Sequence, residues 1–175
     1  NPDLAMFGKA IGNGYAINAV IGKKSVMKAA EDRFISSTFW TERIGYVAGN
    51  TTIELMESLN PWQKLIKMGK FYKEGCLKLA EKHNINLEVK GIDTINYLSF
   101  AKSKNQLYKT FITQEMLKVN ILSSNVIYIN TSHKKEHLNL YLKNLDKIFN
   151  KIKKTRNLKL HLNGPMSHDT FKRLN

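Results

Sequence analysis

Cysteine and arginine are scarce in this chain, and each shortage narrows its chemistry. The single cysteine, Cys76, excludes an internal disulfide and any cysteine-rich metal site. That usage fits a reducing compartment, so the expected location is the cytoplasm. Only four arginines (Arg33, Arg43, Arg156 and Arg173) stand among 28 basic residues, against 14 acidic ones. Base readout and bidentate phosphate contacts lean on arginine. The formal charge of +14 is therefore expected to be solvated lysine surface, with no nucleic-acid partner. The lysines are scattered, with local clusters at Lys23-Lys24, Lys134-Lys135 and Lys151 to Lys154. No apolar run is long enough to cross a bilayer and no basic, apolar, small-residue leader opens the chain, so no membrane partner is expected. There is no internal repeat or low-complexity segment. Neither GxGxxG nor GxxxxGK[ST] occurs.

What is present is a globular composition, 42% hydrophobic with two Trp, seven Tyr and eight Phe. A length of 175 residues suffices for one domain or two small ones. The most informative segment is Phe7-Gly8-Lys9-Ala10-Ile11-Gly12-Asn13-Gly14-Tyr15. An apolar strand-like run, Asp3 to Phe7, delivers Lys9 to a glycine-rich loop, and a second apolar run, Ala16 to Ile21, follows. A lysine held between buried segments is costly to keep charged, and a neutral amine is a nucleophile towards carbonyls. That is the condition for Schiff-base chemistry with pyridoxal phosphate. The same local pattern also fits an ordinary loop lysine beside a tight turn, and local sequence leaves both readings open.

A wider pattern surrounds this lysine. Pro2-Asp3-Leu4, Gly8 to Tyr15 and Ala19-Val20-Ile21-Gly22 come first, followed by Ser36-Ser37-Thr38-Phe39-Trp40-Thr41-Glu42-Arg43-Ile44-Gly45. Met68-Gly69, Val89-Lys90-Gly91, Phe111 to Leu117 and Ser132-His133 continue in order. Together they resemble the C-terminal portion of class III pyridoxal-phosphate-dependent aminotransferases, most of all the branch around glutamate-1-semialdehyde aminomutase. The resemblance implies an α/β fold of fold-type I. Residues 1–60 would be the C-terminal part of the large cofactor-binding domain and residues 61–175 the C-terminal small domain.

For the site, the resemblance implies pyridoxal 5'-phosphate as cofactor, with Lys9 as the catalytic, cofactor-bearing lysine and Thr38 as a cofactor-binding residue on its phosphate. In that family the threonine serves the phosphate of the neighbouring subunit, so a homodimer with shared sites is expected. Ser37 is a weaker candidate, because adjacent side chains of an extended segment point to opposite sides. The implied activity is Schiff-base exchange on Lys9, moving an amino group from a small-molecule donor to a keto or aldehyde acceptor. The short segment Ile121 to Ile129 favours transamination over aminomutase-type isomerisation. Three family features lie upstream of the lysine: an acid on the pyridine nitrogen, an aromatic on the ring and the main phosphate loop. A truncated, merely dimerising remnant is therefore the third reading. The family often continues from its threonine with Ser-Gly-Asn-Pro, whereas Phe39 to Arg43 stand at that point. Glu42 and Arg43 are candidates for a gate, a substrate contact or a local ion pair.

Periodicity predicts the rest. Two strands lie within residues 3–22, a short helix starts at a Ser25 cap, and helices run over 44–58, 62–83 and 105–117. Strands are expected at 87–89 and 95–100, joined through Gly91-Ile92-Asp93, and again at 126–129. Leu138, Tyr141, Leu142, Leu145, Ile148, Phe149 and Ile152 make a four-turn apolar stripe expected to be core. Cys76 falls at a buried helical phase and is expected to pack rather than react. His133 and His137, four apart, have a chelating spacing but no third ligand, so no metal is expected. The tail, residues 158–175, shows only the turn signal Asn163-Gly164-Pro165.

Overall fold

The computed structural model describes residues 1–168. The chain divides into two compact units, residues 1–61 and 62–175. The last seven residues of the tail predicted from sequence lie outside the described residues.

In the first unit, β1 (Leu4–Phe7) pairs antiparallel with β2 (Ala19–Gly22), Leu4 facing Gly22 and Phe7 facing Ala19. A 3₁₀ turn at Lys9–Ile11 opens the loop between them. Two helices follow, α1 (Lys24–Met27) and α2 (Arg43–Leu59). The predicted Ser25 cap is not formed, since Ser25 lies inside α1 and Lys23 precedes it. The cause is strand pairing: the Lys23 N–H donates to the Asp3 carbonyl (3.0 Å) and its ammonium to the Asp3 carboxylate (2.7 Å), which fixes the turn earlier. Helix α2 ends where Asn60 takes the left-handed conformation at φ 44°, its N–H bonded to the Met56 carbonyl. Asparagine tolerates that geometry at a helix end.

The face α2 buries is not the apolar one. Val47, Ile53, Leu55 and Met56 are exposed, while Gly45 and Gly49 are buried. A Cβ on Gly45 would stand 2.6 Å from the Ala16 carbonyl oxygen, and one on Gly49 would touch Ile17 at 3.4 Å. The helix thus lays its backbone directly on the loop that follows Lys9.

The second unit is built on α3 (Trp62–His83), β3 (Leu87–Ile92), β4 (Ile95–Phe100), α4 (Asn105–Leu117), β5 (Val126–Tyr128) and α5 (Lys135–Lys154). The three strands form an antiparallel sheet in the order β3-β4-β5. Its central strand alternates, with Asn96, Leu98 and Phe100 buried, as a half-buried strand should. The hairpin turn falls one step later than predicted. Gly91 stays in β3 opposite Asn96, and the chain reverses at Asp93-Thr94. Gly91 holds φ 92°, a conformation in which a side chain would be strained, so the strand runs through it rather than ending there.

The predicted stripe of α5 is the core. Leu145 and Phe149 are fully buried, packed with Tyr72 and Cys76 of α3, Leu98 of β4 and Met116 of α4. Each such side chain stabilises the unit by roughly 1.5–3 kcal/mol. Glu115 is buried yet charged, holding Lys151 of α5 at 2.5 Å and also Lys118. Burial pushes its carboxyl up, but hydrogen bonds from Lys118, Lys151 and Gln114 and the Lys151 charge outweigh that and hold it at about 2. The start of α5 is fastened by imidazoles. His133 Nδ1 accepts the Asn130 N–H (3.2 Å) and His137 Nδ1 accepts the Lys134 N–H (3.3 Å). The tail lies along α4, where Gln114 accepts the Asn163 N–H (2.7 Å) and Thr110 accepts the Ser167 N–H (3.0 Å).

Candidate active-site segment

Lys9 follows directly on β1 and Gly8, and its backbone is left-handed at φ 50°. For a side-chain-bearing residue that conformation costs about 1–2 kcal/mol. Local bonds over-determine it: the Gly12 and Asn13 N–H groups both donate to the Lys9 carbonyl at 3.1 Å. Gly8, beside it, is extended at φ −157°. A Cβ there would lie 2.6 Å from the Asn18 side-chain oxygen, so Gly8 is required for space. Gly12 is buried and closes the turn, since a Cβ would meet the Tyr15 carbonyl at 2.1 Å.

The strands around Lys9 are not the buried pair expected from sequence. Met6 is 82% exposed, and Phe7, Val20 and Ile21 also face outward. Lys9 itself is exposed, and its ammonium has no ion pair or hydrogen bond among the described residues. The physical reason is that β1 and β2 pair only with each other among the described residues, so the ribbon has no flanking strand on either edge. Desolvation by neighbouring strands is thus not what this unit gives its lysine. It gives a free primary amine on a fixed, strained backbone.

Thr38 sits in the turn that leads into α2, and its hydroxyl makes no hydrogen bond among the described residues. Ser37, by contrast, is engaged, its Oγ accepting the Phe39 N–H at 3.4 Å. Two further contacts hold this turn, Glu42 N–H to the Phe39 carbonyl (3.0 Å) and Tyr46 Oη to the Trp40 carbonyl (3.2 Å). Glu42 precedes α2 without capping it, and it forms no ion pair with Arg43 among the described residues. Arg43 lines a cleft of about 490 Å³ with Tyr15 and Thr51, and Glu42 lines another of about 390 Å³ with Asn18 and Trp40. Neither of these two clefts is lined by Lys9 or Thr38.

Sequence reasoning missed Gly45, Gly49 and Asn18 as the residues that seat the lysine loop. The spacing of two glycines four apart on α2 is the signal that marks a close helix approach. Elsewhere, no group of three or more His, Cys, Asp or Glu among the described residues is placed to hold a metal ion. No helix among them is long and apolar enough to cross a membrane.

The structure thus places an amine at a strand end, a glycine-built loop behind it and, on the turn before a long helix, a hydroxyl with no hydrogen bond among the described residues. The profile of the family "Aminotransferase class-III" matches residues 1–155, and the chain belongs to that family. It is 35% identical to the 3-aminobutyryl-CoA aminotransferase of Cloacimonas acidaminovorans, over 65% of this chain and 28% of that protein. It is 28% identical to the glutamate-1-semialdehyde 2,1-aminomutase of Methanosphaera stadtmanae, over 87% of this chain and 40% of the relative. The chain thus spans between about a quarter and two-fifths of the length of these curated relatives. Among solved structures it is similar to the pyridoxal-phosphate internal-aldimine form of the Sphingopyxis sp. MTA144 FumI protein. That match has a TM-score of 0.78 and 23% identity, covering 86% of this chain and 37% of the other. The β-phenylalanine aminotransferase of Variovorax paradoxus gives a TM-score of 0.74 at 18% identity, covering 85% and 38%. The fold is accordingly the α/β fold-type I of these transaminases, present in part.

Proposed function

We propose that this chain carries the lysine-bearing portion of a pyridoxal 5'-phosphate-dependent aminotransferase. The observation that carries the reading is Lys9 itself, an amine without an ion pair or hydrogen bond among the described residues, on a left-handed backbone at the end of β1, in a chain of the class-III family. The residues fit the cofactor by the chemistry of their donors, since an amine suits its aldehyde and the free hydroxyl of Thr38 suits a phosphate oxygen. When bound, the cofactor supplies an electron sink for the bond that breaks on the substrate's amino-bearing carbon. Lys9 would hold the cofactor through Nζ and, once displaced by the incoming amine, would carry a proton to and from the substrate carbon on that nitrogen. Thr38 donates its hydroxyl to the phosphate and fixes the position of the ring. The fixed backbone at Lys9 limits where Nζ can swing, which orients proton transfer.

In this reading residues 1–60 are the C-terminal part of the large domain and residues 61–175 the small domain of a cytoplasmic homodimer. The substrates are a small-molecule amino donor and a keto or aldehyde acceptor. In the dimer of this reading, Thr38 serves the cofactor of the partner subunit.

The test uses the full-length protein. Borohydride reduction followed by peptide mapping is expected to place the pyridoxyl group on Lys9, and Lys9→Ala to abolish both the label and turnover. A label on Lys23 or Lys24 would overturn the assignment. Thr38→Ala removes one charge-assisted hydrogen bond, about 1.5–3 kcal/mol, and should weaken cofactor binding roughly ten- to a hundredfold. Mixing the two variants should restore activity, because one site of the heterodimer then collects both defects. No recovery after subunit exchange would remove Thr38 from the partner's site.

A further inference from the structure

The net charge of the chain is unevenly placed. Residues 1–61 carry six basic and six acidic side chains, whereas residues 62–175 carry twenty-two basic and eight acidic ones. Most of those lysines stand singly on exposed helix faces. At one place three cations meet at a cavity.

A cleft of about 380 Å³ lies between the end of α3, the start of α4, the end of α5 and the short turn at Leu158–His161. Lys104, Lys153 and Arg156 line it, and among the described residues no aspartate or glutamate does. None of these three side chains forms an ion pair or hydrogen bond among the described residues. Lys104 Nζ instead rests 5.9 Å above the ring of Tyr108. The carboxylate beside the cleft's His83, Asp146, is already taken by His83 Nε2 at 2.6 Å and Lys82 at 2.8 Å. Like charges around one cavity repel, and among the described residues no carboxylate pairs with these three. Beside the cations the half-buried Leu107 and Tyr108 line the cleft, together with the buried Ile152 and Leu158 and the polar Asn84, Thr155 and Asn157.

We propose that this cleft binds a phosphate monoester bearing a planar organic group. Arg156 offers a planar fork of N–H donors that matches two phosphate oxygens, and Lys104 and Lys153 add point charges. The organic group lies against Tyr108 and Leu107. The volume is at the lower end of small-molecule sites, roughly 300–1,000 Å³, and suits a ligand the size of a mononucleotide. A bare phosphate ion would leave Leu107 and the ring of Tyr108 uncovered. This site is independent of the lysine chemistry of the first unit.

The test is a calorimetric titration of the full chain with AMP, adenosine and inorganic phosphate as probes. Saturable one-to-one binding of AMP is expected, with phosphate weaker and adenosine weaker still. Lys153→Gln and Arg156→Gln should each weaken AMP about tenfold or more. The double variant Lys143→Gln/Lys147→Gln removes two charges from the exposed face of α5 and should change affinity by less than about twofold. Independently of any variant, bound AMP should shield Lys104 and Lys153, but not Lys143, from acylation. The proposal is overturned if AMP fails to saturate at millimolar concentration or if adenosine binds as tightly as AMP. Equal losses in the control variant, or uniform acylation, would show diffuse charge attraction instead of a site.

Discussion

Helix α5 buries seven residues along one stripe, whereas α2, nearly as long, buries only Gly45 and Gly49. The second unit is held by side chains that interlock, with Tyr72, Leu98, Leu145 and Phe149 all but excluded from solvent. The first unit places none of its large apolar side chains in that class, and Phe34 is 97% exposed. What orders it is backbone contact: two glycines of α2 against the loop at Ala16-Ile17, and a two-stranded ribbon. Local order around Lys9 thus rests on close approach and turn bonding, while the stability of residues 62–168 rests on a core.

The comparison breaks first at Phe149. Phe149→Ala should cost about 3–5 kcal/mol, read as a shifted urea midpoint with an unchanged slope. A loss below about 1 kcal/mol would mean that the second unit is not held by this core.

An intermediate effect is expected at Glu115. Its folded value of about 2 lies below the ordinary value of 4.5. Its contribution is therefore fully present above about pH 4.5 and is lost as pH falls towards about 2. Both lysine partners are more than half exposed, so the contribution is discounted to about 1–2 kcal/mol. Glu115→Gln should remove that slope of stability with pH between these limits. An unchanged slope in the variant would assign the acid sensitivity to other carboxylates.

The smallest effect sharpens the contrast. Ile53→Ala on the exposed face of α2 should change the stability of this chain by less than about 0.5 kcal/mol despite removing an isoleucine. A cost comparable to Phe149→Ala would show that α2 is covered in solution.

How much was legible in the sequence follows the same division. The helices at Trp62–His83 and Asn105–Leu117 and the stripe of α5 were readable because their burial partners lie within the same unit. Cys76 was placed correctly in the core for the same reason. The apolar residues of α2 foretold the helix but not its buried face, because periodicity reports which face is greasy and not which face is covered. The hairpin turn was misplaced at Gly91, since glycine signals a turn from sequence whether it ends a strand or runs through it. In the candidate site, the position of Lys9 between two strands was readable. Its backbone was not, because Gly8 was the natural owner of a left-handed angle and Lys9 took it instead. Its exposure was hidden too, since the cover of a strand is a non-local property. The free hydroxyl of Thr38 was distinguishable from the engaged one of Ser37 only once the turn had been built.

Helix α5 meets acid differently along its length. At its start, the acceptors that fasten Asn130 and Lys134 are imidazole nitrogens, and a proton on Nδ1 turns an acceptor into a donor. Burial, and then the charge of His137, already push His133 below its usual 6.5, so its fastening is present above that pH and is given up as pH falls past it. Further along, the carboxylate on Lys151 lets go only in far stronger acid. Acidification therefore loosens the turn before α5 ahead of the Glu115–Lys151 tie, so amide exchange is expected to rise first at the entry to the helix while its core stripe stays protected.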